Sequence, residues 1–188
     1  MDGPQFTDCM VDVETTGLQG GKAALIQIGA VPFNFDTKEI DVKNMYCASL
    51  SIPRNRYWTD DTMKFWMGDN PEVYMKIMES ARPRGVVIPE FYQWALERGN
   101  VRWWSKGFMD WEFIDSYMMD ADLPMPFNFR QAKCMRSFIA GLNGEAEYQD
   151  PVVDKVGDHH NALHDCLTQL KQLFKAKEDT CQTTVVSD

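Results

Sequence analysis

The order of the elements constrains this chain more than any single motif does. Residues 6–13 mix apolar and β-branched side chains and read as a strand. Residues 24–35, rich in Ile, Val and Phe, read as a second strand, reached through a turn containing Gly20 and Gly21. A hairpin turn at Asp36-Thr37-Lys38 returns the chain as a third strand over 42–50. Beyond residue 60 the spacing turns helical. One helix is expected with Asp60 or Asp61 as its cap, and another from Asn70-Pro71. A third covers 89–97 and ends at Gly99. Residues 101–105 form a short strand, and helices follow over 111–119, 129–142 and 161–177. The last carries Leu163, Leu167, Leu170 and Phe174 on one face. A three-strand meander followed by alternating helices and strands predicts an α/β domain, a mixed sheet with helices on its faces.

At 188 residues, with 44% apolar content, the chain is long enough for one well-cored domain. That domain is expected over 1–177, followed by a polar, frayed tail over 178–188. No apolar run is long enough to cross a membrane, and the first residues lack a signal-peptide pattern, so the expected setting is cytoplasmic. Five cysteines, an odd number with no CxxC pair, argue against a disulfide framework or a zinc site. A net charge of −9 argues against a broad non-specific DNA-binding surface. A small site gripping one or two nucleotides remains compatible with it.

The first strand ends in Asp12-Val13-Glu14-Thr15-Thr16-Gly17. Side chains at i and i+2 of a strand share a face, so Asp12 and Glu14 sit side by side. Two adjacent carboxylates repel unless a cation lies between them, and a divalent metal is the usual solution. Near the other end, His160-Asn161-Ala162-Leu163-His164-Asp165 supplies an imidazole and a third acid. A fourth acid is expected after the Trp103-Trp104 strand, where Asp110 follows a turn at Gly107. Asp115 is the alternative, and Asp110 could equally cap the helix that starts beside it. Oxygen-rich sites of this kind hold Mg²⁺ or Mn²⁺, and two such ions suit phosphodiester hydrolysis. An unperturbed imidazole titrates near neutrality, so His160 is the candidate to take a proton from the attacking water. Phe108 offers a π-face on which any base can stack.

These motifs resemble the DEDDh group of 3′–5′ exonucleases, in the RNase H-like superfamily of ribonuclease T and the proofreading polymerase subunits. The Asp12 to Gly17 stretch is similar to that group's first motif, and His160-x-Ala162-x-x-Asp165 to its third. Thr62, Trp66 and Cys134-Met135-Arg136-Ser137 resemble a narrower branch of phage exonucleases and a mycobacterial-type exoribonuclease. The second motif departs from the pattern: Met109 and Lys106 stand where an aromatic and an Asn are usual. The resemblance implies an RNase H-like mixed sheet. It implies Asp12, Glu14, Asp110 and Asp165 as ligands of two Mg²⁺ or Mn²⁺ ions, and His160 as general base. Thr15, Thr16 and Leu18 would meet the terminal nucleotide. The implied substrates are 3′ ends of single-stranded DNA or RNA, and the product is a nucleoside 5′-monophosphate. A homodimer is left open, since some such enzymes pair. Two rival readings stand: a module that holds nucleic-acid ends without cutting, and a subunit active only with a protein partner. The basic clusters Arg54-Asn55-Arg56 and Arg82-Pro83-Arg84 are either solvated loops or a phosphate-guiding rim.

Overall fold

The computed structural model describes residues 6–185. Five strands form one mixed sheet in the order β3-β2-β1-β4-β5. They are β1 (Asp8–Thr15), β2 (Leu25–Phe33), β3 (Tyr46–Ser49), β4 (Arg102–Ser105) and β5 (Ala132–Cys134). The first three are the antiparallel meander, and β4 and β5 add in parallel on the other side of β1. The helices are α1 (Asp60–Lys64), α2 (Pro71–Glu79), α3 (Arg84–Glu97), α4 (Met109–Asp120), α5 (Met135–Asn143) and α6 (Ala162–Val185). A π-helical turn, Phe65–Asp69, continues α1. This is the α/β mixed sheet with flanking helices that the sequence predicts.

Strand alternation sorts the core into two layers. Cys9, Val11 and Val13 of β1 join Trp103 of β4 in the layer that holds Phe91 of α3 and Phe113 and Tyr117 of α4. Met10 and Trp104 point the other way, into the layer holding Met135 and Ile139 of α5 and Leu170 and Leu173 of α6. By the same period of two, Asp12 and Glu14 follow Met10 onto the α6 side.

The local readings differ from the structure at four places. The α1 cap is Thr59, whose side chain accepts from the Thr62 N–H, while Asp60 and Asp61 occupy the first turn. Helix α3 begins at Arg84 and runs through Pro89. Its first turn is held without that proline's help, by the Val86 and Val87 N–H groups donating to the Pro83 carbonyl and by burial of Val87 and Ile88. Residues 129–142 are not one helix. A 3₁₀ turn and strand β5 precede α5, because pairing with β4 satisfies that backbone better than a helical turn would. The last helix continues past Lys177 to Val185, with Lys38 paired to Glu178. Residues 186–188 of the expected tail lie outside the described residues.

The basic clusters are largely structural. Arg56 is buried: it donates to the Gly20 carbonyl at 2.6 Å and to Ser116 and Asp120 at 2.8 Å, and stacks over Tyr117. Arg84 shares Asp120, and Arg82 pairs with Glu90. Among the described residues no helix is long and apolar enough to cross a membrane.

Candidate active site

The site forms where β1 outruns its neighbour. Strand β4 pairs with β1 only as far as Met10. Beyond it the Val13 N–H is taken by the Asp110 carboxylate at 3.2 Å. Asp110 lies in the first turn of α4, buried and aimed at β1. Asp115, one and a half turns further on, is exposed and lines a separate groove with Trp111 and Phe127. The structure therefore brings Asp110, not Asp115, to the acid pair. The capping role also fails for Asp110, because Phe108 precedes the first turn.

Helix α6 delivers the third acid. Its N-terminus rests directly on β2, at Gly29, which is the register partner of Asp12. A Cβ at Gly29 would lie 2.4 Å from the Ala162 carbonyl carbon, so only glycine permits this approach. Gln27, across from Glu14, accepts the Ala162 N–H at 2.8 Å. Asn161 caps the first turn, accepting from the Leu163 and His164 N–H groups. Asp165 then sits at the positive end of the helix. Carboxylate oxygens of Asp12, Glu14 and Asp165 all lie within 4.8 Å of one another.

Burial and mutual repulsion make this group an unfavourable place for negative charge. Desolvation raises the Asp12 pKa well above its ordinary value, with the charges of Asp110, Glu14 and Asp165 adding to it. Glu14 is raised by the same causes, burial first and then Asp165 and Asp110. Asp110 is pushed up to about 6 by burial, against the hydrogen bond from Val13. A divalent cation would reverse all three effects, and an all-oxygen donor set suits a hard ion. Such acids are more protonated in the folded than in the unfolded chain. Metal-free protein should therefore lose stability as pH rises from about 4 to about 6, on the order of 2–3 kcal/mol for Asp110 alone. Chemical denaturation in EDTA at pH 4.5 and 7 checks this, and added Mn²⁺ should restore the loss at pH 7.

The histidines divide their roles. His164 is committed to the loop: its Nδ1 accepts the Asp158 N–H at 2.9 Å, and its ring fills the space beside Gly157. His160 adopts a left-handed backbone, with φ of 62°, and its N–H donates to Asp165 at 3.1 Å. Its ring packs edge-on against Phe65 at 4.6 Å and stacks on His159 at 3.8 Å. Burial lowers the His160 pKa, and the neighbouring His159 lowers it further. The ring in direct contact with Asp165 is that of His159, at 3.2 Å. The sequence pattern did not favour this neighbour, and no spacing rule would have selected it.

The residues expected at the terminal nucleotide behave differently from one another. Leu18 and Phe108 are about 70% exposed. Thr15 donates to the Gly17 carbonyl at 2.7 Å. Thr16 corrects the expectation: its side chain is fully buried, donating to the Tyr57 carbonyl and accepting from the Ala24 N–H. It shapes the loop and has no surface to offer a nucleotide. Trp66 donates to the Thr15 carbonyl at 2.9 Å and Thr62 to that of Thr16. The π-helical turn thus braces the strand end. A cleft of about 420 Å³ opens over Asp12 and Asp165, lined also by Lys106, Lys155, His159 and Gln169. No motif in the sequence singles out Gln169, although its position four residues after Asp165 puts it on the same helix face.

A comparison with curated protein sequences finds no match. Solved structures share the fold. The cell-death related nuclease CRN-4 superposes with a TM-score of 0.66 at 18% identity, over 93% of this chain and 65% of that one. The nuclease domain of 3′hExo, a DEDDh family member bound to rAMP, gives 0.61 at 16% identity, over 96% of each chain. The zinc-bound form of the E. coli ExoI–ssDNA complex gives 0.72 at 10% identity, over 94% of this chain and 41% of that one. This chain thus spans under two thirds of the CRN-4 chain and under half of the ExoI chain. A family model described as a 3′–5′ exoribonuclease Rv2179c-like domain matches residues 7–176. With an RNase H-like sheet that gathers three acids at one strand end, the chain belongs to the Rv2179c-like family of 3′–5′ exoribonuclease domains, a family of nucleases.

Proposed function

We propose that this protein removes nucleotides one at a time from the 3′ end of single-stranded RNA, and of DNA with lower preference, releasing nucleoside 5′-monophosphates. The observation that carries this reading is the convergence of Asp12, Glu14 and Asp165 within 4.8 Å, in a chain of an exoribonuclease family. The donor set fits two Mg²⁺ or Mn²⁺ ions, with Asp12, Glu14 and Asp165 holding one and Asp12 and Asp110 the other. Bound there, the ions would activate the attacking water and stabilise the leaving 3′ oxygen. Leu18 and Phe108 flank the terminal nucleoside, and Phe108 stacks on its base. His160 accepts the proton. Its lowered pKa keeps the imidazole neutral, hence able to accept, at physiological pH. His159, which touches Asp165, is the second candidate for that role. Free thiols at Cys9, Cys47, Cys134 and Cys166 suit a reducing, cytoplasmic setting.

The test is a gel assay on 5′-labelled RNA and DNA of one sequence, with Mg²⁺, Mn²⁺ or EDTA. A ladder that shortens stepwise only with metal supports the reading. No cleavage by folded, metal-loaded protein would favour an end-binding module or a partner-dependent subunit. His160→Ala should lower the rate about 10²–10⁴-fold with metal binding retained, and His159→Ala much less. The reverse order would move the base to His159.

A further inference from the structure

Four polar side chains form a stripe along α6: Asp165, Thr168, Gln169 and Gln172, at the i, i+3, i+4, i+7 positions of one helix face. Thr168, Gln169 and Gln172 are all buried. Polar side chains in such a place need partners, and two of the three find them in the loop before the helix. Thr168 accepts the Val156 N–H at 3.0 Å, and Gln172 donates to the Pro151 carbonyl at 3.4 Å. These two bonds hold the loop onto the helix, an ordinary structural duty.

Gln169 does something else. Its Nε2 donates to Asp12 Oδ1 at 2.7 Å. A carboxylate ionised on a metal can only accept, so the observed arrangement, with the amide nitrogen facing Asp12, is the one that suits the metal-bound site. The amide oxygen is then left inside the site. Gln169 is 5% exposed and lines the same cleft as Asp12 and Asp165, yet its Oε1 has no partner among the described residues. A buried acceptor without a donor is destabilising, which a residue chosen for stability alone would not carry. Asp12 and Gln169 lie 157 residues apart, so the contact is no by-product of local sequence.

We infer that Gln169 is a positioning residue for the metal site. Its N–H fixes the plane of the Asp12 carboxylate and occupies one lone pair, leaving the others directed toward the cleft. Its Oε1 is an acceptor for a hydroxyl or water belonging to whatever fills the site. Partners of this kind behind a ligating carboxylate raise the fraction of time that it spends in the ligating orientation. The inference rests on the metal-dependent reading of the site given above.

Gln169→Met tests it, since methionine keeps the length and volume of glutamine without its donor or acceptor. Binding is read without turnover, from the rise in Tm as Mn²⁺ is added in the absence of nucleic acid. The expected result is a ten- to hundredfold increase in the Mn²⁺ midpoint. The metal-free Tm should change little, because losing the bond to Asp12 and losing the unmet acceptor act in opposite directions. A Mn²⁺ midpoint within twofold of wild type would overturn the role of Gln169 alone. A wild-type protein whose Tm does not respond to Mn²⁺ at all would overturn the metal reading and this inference together. If Gln169→Met does not fold, Gln169→Ala is measured against the same two thresholds.

Discussion

Asp12→Asn is expected to abolish exonuclease turnover while making the metal-free protein more stable. Asp12 is the carboxylate most crowded by the others: burial, Asp110, Glu14 and Asp165 all oppose its charge. Asparagine removes that charge and still offers an oxygen to the Gln169 N–H that now reaches Asp12 at 2.7 Å. The repulsion between residue 12 and Glu14, Asp110 and Asp165 is relieved, and asparagine has nearly the same shape as the aspartate it replaces. For a domain of this size a gain of 1–2 kcal/mol raises Tm by roughly 2–8 °C. The same change removes a carboxylate oxygen that would serve the proposed ions, so the rise in Tm on adding Mn²⁺ should disappear, and activity should fall at least about 10³-fold. Thermal melts with and without Mn²⁺, beside the ladder assay, read both effects. A variant that is less stable without metal than wild type would show that the acids are not in conflict, and that their cluster is a structural network. Function-bearing sites commonly carry such a cost in stability.

Gly29→Ala is expected to damage both fold and activity, although residue 29 has no chemistry of its own. The added methyl would sit 2.4–2.5 Å from the backbone of Ala162 and Leu163. Backbone at the start of a helix cannot swing away as a flexible side chain can. Helix α6 must lift from β2, which strains the Gln27 bond to Ala162 and carries Asp165 away from Asp12. Overpacking of this sort costs roughly 1–3 kcal/mol or more. A displacement of about 1 Å at a reacting centre is enough to lower a rate about 10²-fold. Denaturation midpoints and single-turnover rates of the purified variant test this. Wild-type activity in Gly29→Ala would mean that α6 is not seated as described.

Much of the site was readable in advance, because its strongest signals are local. Alternation along β1 places Asp12 and Glu14 together, and the spacing from His160 to Asp165 puts both at the mouth of one helix. The meander, the mixed sheet and most helices follow from periodicity in the same way. Where the local reading failed, contacts between distant segments outweighed propensity. Strand β5 exists because β4 lies beside it, and α3 tolerates Pro89 because its first turn is tied to Pro83 and buried on the sheet.

Sequence by itself determined the fold class, the acid pair of β1, the first-turn acid of α6 and the family these motifs resemble. Each depends on side-chain spacing within one element, which backbone geometry converts directly into a shared face. Tertiary structure alone decided the rest. It chose Asp110 over Asp115 through the Val13 N–H, withdrew Thr16 and Arg56 into structural duties, set His159 against Asp165 and brought Gln169 onto Asp12. Except for the His159 pairing, those outcomes depend on which buried polar group meets which partner across gaps of 8 to 157 residues. Such pairings arise only once burial has made an unmet hydrogen bond expensive.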